Sequence, residues 1–139
     1  MVNRIKSIGS GLGLQVTKPV RAAGLVEEQG EGEDRRTTYR ADVLIHVVDG
    51  IVLVIDVDLI SGADRAALVS RAIRSTRSTY TADFSQIQHA GNGYRVQLPG
   101  VRHAGLEKGD RAPVQTDSGV LVVHREDKTL AGRAEDILA

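Results

Sequence analysis

Apolar side chains fall at every second position in two short stretches: Leu12, Leu14 and Val16 in "GLGLQV", and Tyr94, Val96 and Leu98 in "GYRVQL". Such alternation predicts strands with one buried face. Two longer runs, "ADVLIHVVDGIVLVI" from Ala41 and "GDRAPVQTDSGVLVVH" from Gly109, are each broken by an Asp-Gly or Asp-Ser-Gly turn and predict hairpins. In "SGADRAALVSRAIRSTRSTY", Ser61 to Tyr80, the period changes: Ala66, Leu68, Val69, Ala72 and Ile73 share one helical face, and Arg71, Arg74 and Arg77 the other. Ser61 or Asp64 suits the start of that helix. "KPVRAAGL" and "PGVRHAGL" predict short helical turns, with proline at the entry and Gly24 or Gly105 at the exit. "EEQGEGEDRRTTY" predicts a charged, solvated loop, and "DKTLAGRAEDILA" a short, weakly amphipathic tail.

The same order of signals occurs twice. "GSGLGLQVTKPVRAAGL" from Gly9 aligns with "GNGYRVQLPGVRHAGL" from Gly91, pairing Leu14 with Val96, Gln15 with Gln97, and Arg21 with Arg102. The hairpin runs follow in both copies. The organisation expected is a first repeat over 1–58, a linker with a helix over 59–82, a second repeat over 83–126, and a C-terminal tail over 127–139. A repeat of this size has too little core to stand alone, so the two copies must cover each other or a partner chain.

The glycines Gly9, Gly11 and Gly13 invite comparison with a phosphate loop, and the comparison fails. A dinucleotide fingerprint needs a third glycine where Leu14 stands, and no Gly-Lys-Ser/Thr ending follows. They read instead as turn and strand-entry residues. Eighteen basic residues balance eighteen acidic ones, so any polyanion site must be a local patch. One Phe, three Tyr and no Trp leave little for stacking on single-stranded nucleic acid. The absence of cysteine removes disulfides, zinc-thiolate sites and thiol catalysis. With no signal-like N-terminus and no apolar run long enough to span a bilayer, a cytoplasmic protein is expected, without membrane contact.

Little suggests catalysis. Asp56 and Asp58 form a carboxylate pair at a strand exit with no nucleophile or histidine partner in sequence, and Tyr80 and Ser85 lack a recognisable base. His46, His89, His103 and His124 have no metal-ligand spacing and read as surface residues. The acidic cluster Glu27, Glu28, Glu31, Glu33 and Asp34 is the one stretch with cation-binding chemistry, and a solvated loop explains it as well. No catalytic residue, metal or cofactor is therefore expected, and no enzyme.

Taken together, "RIKSIGSGLGLQVTKPVRAAGL" with "DVLIHVVDGIVLVI", and "GNGYRVQLPGVRHAGLEKGD" with "GVLVVH", resemble two tandem copies of the AbrB/MazE/SpoVT type of swapped-hairpin domain, in an MraZ-like arrangement. The resemblance covers about two-thirds of the chain. It implies a mainly β fold: a small swapped-hairpin β-barrel built from both repeats, with the amphipathic linker helix between them. It also implies a DNA-binding transcriptional regulator that contacts duplex DNA through basic residues of the first strand, the following loop and the short helix. Carried onto this sequence, those residues are Arg4, Lys6, Lys18 and Arg21 in the first repeat and Arg95 and Arg102 in the second. Gln86 and Gln88 stand where the first repeat has Arg4 and Lys6, so the copies are unequal in charge. The competing expectation is a protein-interaction or homo-oligomerisation module, including an antitoxin-like partner of a toxin, although the tail is short for a toxin-wrapping segment.

Overall fold

A computed structural model describes residues 2–25, 28–29, 36–37, 42–74, 80–90 and 93–139. The first half holds β1 (Val2–Arg4), β2 (Lys6–Ile8), β3 (Gly11–Gln15), α1 (Thr17–Ala22), the two-residue strands β4 (Glu28–Gln29) and β5 (Arg36–Thr37), β6 (Asp42–Val48), β7 (Ile51–Asp56) and α2 (Gly62–Ala72). The second half holds β8 (Tyr80–Ala90), β9 (Gly93–Gln97), a 3-10 helix (Val101–Ala104), β10 (Arg111–Asp117), β11 (Val120–His124) and α3 (Lys128–Leu138). Glu27, Glu31, Glu33, Asp34 and Arg77, together with the Glu28 side chain, lie outside the described residues, so the loop cluster expected from the sequence is not placed.

Nine strands form one antiparallel sheet in the order β1-β10-β11-β7-β6-β8-β9-β3-β2. Its two edge strands are consecutive in the chain, separated only by Ile5, whose N–H donates to Asp110 and whose carbonyl accepts from Gly109. One bent segment thus serves both edges, and the sheet curls into a nearly closed β-barrel. Alternation sends Leu14, Val16, Val96, Leu98, Val52, Val54, Leu121 and Val123 inward to a single core. Val20 of α1 and the capping Ala23 after it, and Val101 and Ala104 of the 3-10 helix, enter that same core.

The outer wall of β7 and β11 is covered too. Ile51, Leu53, Ile55, Val120 and Val122 pack with Leu68 and Ala72 of α2 and Leu130, Ala134 and Ile137 of α3. These two strands are buried on both faces, which is why they read as unbroken apolar runs rather than alternations. The C-terminal segment is therefore a docked helix, not a weakly amphipathic tail. Ser61 and Asp127 cap α2 and α3 in the same manner, their side chains accepting from Asp64 N–H and Leu130 N–H.

The pairing register is unchanged when the two halves are exchanged. Leu14 lies opposite Val96, flanked by Gly13–Gln97 and Gln15–Arg95. Leu53 lies opposite Val122, flanked by Val52–Val123 and Val54–Leu121. Swapping each residue for its counterpart returns the same pairs, and it also carries the β6–β8 pair Asp42–Gln86 onto the β1–β10 pair Arg4–Arg111. The register thus has a two-fold pseudo-axis through these two central pairs, and the β1–β10, β3–β9, β6–β8 and β7–β11 pairings all join one half of the chain to the other.

Two arginines join the helices over this wall. Arg133 of α3 donates through Nη2 to the Ala72 carbonyl at the end of α2 (2.7 Å) and through Nη1 to the Asp49 carbonyl (2.8 Å). Arg71 of α2 reaches the Ile137 carbonyl near the end of α3 (2.9 Å), so it is engaged rather than simply facing solvent. Both place positive charge where a helix C-terminus presents free carbonyls. Arg133 is buried and Arg71 exposed. Arg133→Met is therefore expected to cost about 1–3 kcal/mol for the abandoned buried Ala72 carbonyl, with a smaller loss at the part-buried Asp49 carbonyl, and Arg71→Ala about 1 kcal/mol or less. Urea melts of the two variants check this; equal midpoints would remove the assigned role of Arg133. Ile73, expected on the buried face, follows the last turn of α2 and is 45% exposed.

The helices also change the histidines. His46 and His124, expected at the surface, are 5% and 1% exposed. His124 donates from Nδ1 to the Arg125 carbonyl (2.6 Å), with Gln115 Nε2 3.4 Å from its Nε2. His46 Nδ1 stands 2.8 Å from the Tyr80 hydroxyl, and their rings stack at 5.7 Å. Tyr80 thus has the basic partner that its sequence neighbourhood lacks. Burial, and secondarily the charge of Arg65, hold His46 below the ordinary histidine value. A group with a lowered folded pKa binds protons more readily unfolded, so its share of stability is complete above about pH 6.5 and is lost as pH falls below that value. His46→Gln should flatten the stability–pH curve in this window. An unchanged slope would count against the assignment.

Candidate nucleic-acid interface

Opposite the helix-covered wall, the pseudo-axis emerges through β3 and β9. Leu14 and Val96 point inward there, so the intervening positions Gly13, Gln15, Arg95 and Gln97 point outward. Lys6 on β2 and Gln86 and Gln88 on β8 extend the row, all three exposed. Lys6 Nζ donates to Gln15 Oε1 (3.1 Å), Gln15 lies opposite Arg95, and Arg95 opposite Gln88. Lys6, Gln15, Arg95 and Gln88 thus form a polar band across four strands. Facing side chains in such a ladder are about 5 Å apart.

The glycine-rich entry serves this face. A Cβ at Gly13 would run into the Val96 carbonyl and lie 2.8 Å from Ile8 Cδ1, so only glycine lets the strands pack here. Gly9 turns the chain at φ +58°, and the Gln97 amide seals that turn by donating to the Ile8 carbonyl (2.6 Å).

Arg4 is exposed and, with Lys6, flanks the inward Ile5, so both project outward from one strand segment. Its guanidinium donates to the Gly109 carbonyl (2.9 Å), and Arg111 stands opposite it. Nothing in the sequence around Arg111 marks it, because its neighbour comes from the other half. Arg111 lies 3.5 Å from Glu126, both about half exposed. At the exchanged position Gln86 donates to Asp42 (2.9 Å). One side of the pseudo-axis therefore carries two arginines where the other carries an amide and a carboxylate.

The remaining candidates stand apart from the band. Lys18 and Arg21 are exposed on α1, Arg21 holding its guanidinium 5.7 Å from the Tyr94 ring centroid. Arg102 is exposed on the 3-10 helix, across a groove from the β2–β3 turn. Lys6 and Arg95 thus flank Gln15, with Arg4 two residues before Lys6 beside Gly109 and Arg111, while Lys18, Arg21 and Arg102 sit on the two helical plugs.

Other chemistry finds structural roles. Asp56 Oδ1 accepts the Asp58 and Leu59 N–H groups and so shapes the exit from β7, and Ser85 donates to the Gln97 carbonyl. Among the described residues, no cluster of three or more acidic or histidine side chains is placed to hold a metal ion, and no helix is long and apolar enough to cross a membrane. Comparison with protein-family models, with curated proteins and with solved structures returned no match.

Proposed function

We propose that this chain is a cytoplasmic, DNA-binding transcriptional regulator made of two AbrB-like swapped-hairpin units that close one barrel within a single polypeptide. The reading rests above all on the Lys6–Gln15–Arg95–Gln88 band, which occupies the bare pole of a barrel whose other pole is taken up by α2 and α3. Lysine and arginine supply phosphate contacts, and glutamines donate to and accept from base edges. The exchange symmetry of the register supports two equivalent units, and a two-fold protein surface suits the dyad of duplex DNA. No reaction is assigned to it.

Charge makes the two half-sites unequal. Arg4, Arg111 and Lys6 lie toward the β1–β2 side, and Gln86, Gln88 and Asp42 toward β8, so phosphate attraction is concentrated on one side. Fluorescence anisotropy with labelled mixed-sequence duplex tests the reading, binding at low salt being the expected result and its absence the refutation. A protein-interaction or homo-oligomerisation role draws on a different observation. Phe84 is 73% exposed on β8 beside this face, a large apolar side chain without cover. That role alone leaves the DNA titration flat.

A further inference from the structure

Beside the band, between the β2–β3 turn and the 3-10 helix, lies an open groove of about 540 Å³. That volume falls within the range of roughly 300–1,000 Å³ occupied by small-molecule sites. Among the described residues its polar side chains are Ser7, Ser10, Gln97, Arg102 and His103, with no carboxylate, although the chain holds as many acidic residues as basic ones. Ser7, Ser10, Arg102 and His103 make no side-chain hydrogen bond or ion pair with other described residues. A guanidinium, an imidazole and two hydroxyls thus line one space with no hydrogen-bond partner among the described residues. Leu98 and Val101 give the same groove an apolar wall.

We propose that this groove binds a phosphate ester of about mononucleotide size. Arg102 presents a planar fork that matches phosphate oxygens, His103 adds at least one N–H donor in any protonation state, and Ser7 and Ser10 add hydroxyl donors. The wall at Leu98 and Val101 accommodates the organic body of the ester. The donors are side chains converging across a groove, not the backbone cradle of a nucleotide loop, so the missing glycine fingerprint does not bear on it. The ester has two sources, a free nucleotide or the backbone of duplex DNA. The first needs no part of the DNA reading, and the second extends that reading from the band to the groove.

Titration of the full chain with adenosine monophosphate, followed through backbone amide NMR shifts, tests the proposal. Shifts confined to residues 7–12 and 97–103 are expected, with affinity at least tenfold weaker in Arg102→Ala. A short duplex is then added to the nucleotide-loaded protein. Displacement of the nucleotide identifies the DNA backbone as the source, and its retention identifies the free ester. Nucleotide binding without any duplex binding upholds the groove while refuting the DNA interface. The proposal is overturned if neither ligand perturbs these amides, or if Arg102→Ala titrates like the wild type.

Discussion

Separated halves of this chain, residues 1–74 and 80–139, are expected to be unfolded as monomers. Among the described residues, the strand pairs left within each half are local ones: β2–β3, β4–β5 and β6–β7 in one, β8–β9 and β10–β11 in the other. The four pairings that make a barrel, β1–β10, β3–β9, β6–β8 and β7–β11, all cross between halves. An isolated half would expose Leu14, Val16, Val52, Leu53 and Val54, or Val96, Leu98, Leu121, Val122 and Val123, all of which are buried in the whole chain. Each such burial stabilises by roughly 1.5–3 kcal/mol, so losing several exceeds the roughly 5–15 kcal/mol margin of an ordinary domain. Mixing the halves should restore one cooperative transition at equal stoichiometry. A half alone at high concentration has one way to fold, by pairing with its own copy in the exchange-symmetric register, and sedimentation would report a dimer. Two folded monomers melting independently would refute the shared barrel.

What could be read from the sequence, and what could not, follows from how local each signal is. The hairpins at Asp49–Gly50 and Ser118–Gly119 and the alternation of Leu12, Leu14 and Val16 are local, and the structure has them where the pattern put them. The C-terminal helix is only partly legible: Leu130, Ala134 and Ile137 recur at helical spacing behind the cap Asp127, but the charged Arg133 interrupts the stripe. Only knowledge of the Ala72 and Asp49 carbonyls makes a buried arginine intelligible there. The burial of His46 and His124 had no sequence signal, because it depends on α2 and α3 lying over strands distant in the chain. Arg111 carries no sequence signal either, because its strand neighbour Arg4 comes from the other half of the chain. Of the six basic residues expected to act together, Arg4, Lys6 and Arg95 share one face because strand parity, which is local, aligns them. Lys18, Arg21 and Arg102 depend on how the helical plugs seat, which is not.

Replacing Arg4 and Lys6 together by alanine is expected to weaken duplex DNA binding by about tenfold or more near 0.1 M salt and to flatten its salt dependence by about two units. Each phosphate neutralised releases condensed counterions, so the logarithm of affinity falls with that of salt by about 0.9 per contact. Arg4 and Lys6 project from one strand segment, Arg4 opposite Arg111 and Lys6 bonded to Gln15, so their loss leaves only Arg111 of the three cations on this side. Neither side chain is buried, so melting temperature should stay close to that of the wild type, which separates lost contacts from lost fold. The exchange-related pair supplies the control. Gln86 and Gln88 occupy the equivalent strand positions without charge, so replacing them by alanine should leave the salt slope unchanged while altering preference among sequences. Anisotropy titrations of the three proteins at several salt concentrations decide the matter. Equal slopes for the wild type and the Arg4/Lys6 variant would remove this face from DNA, because a surface that neutralises phosphates cannot lose two cations without changing the number of ions released.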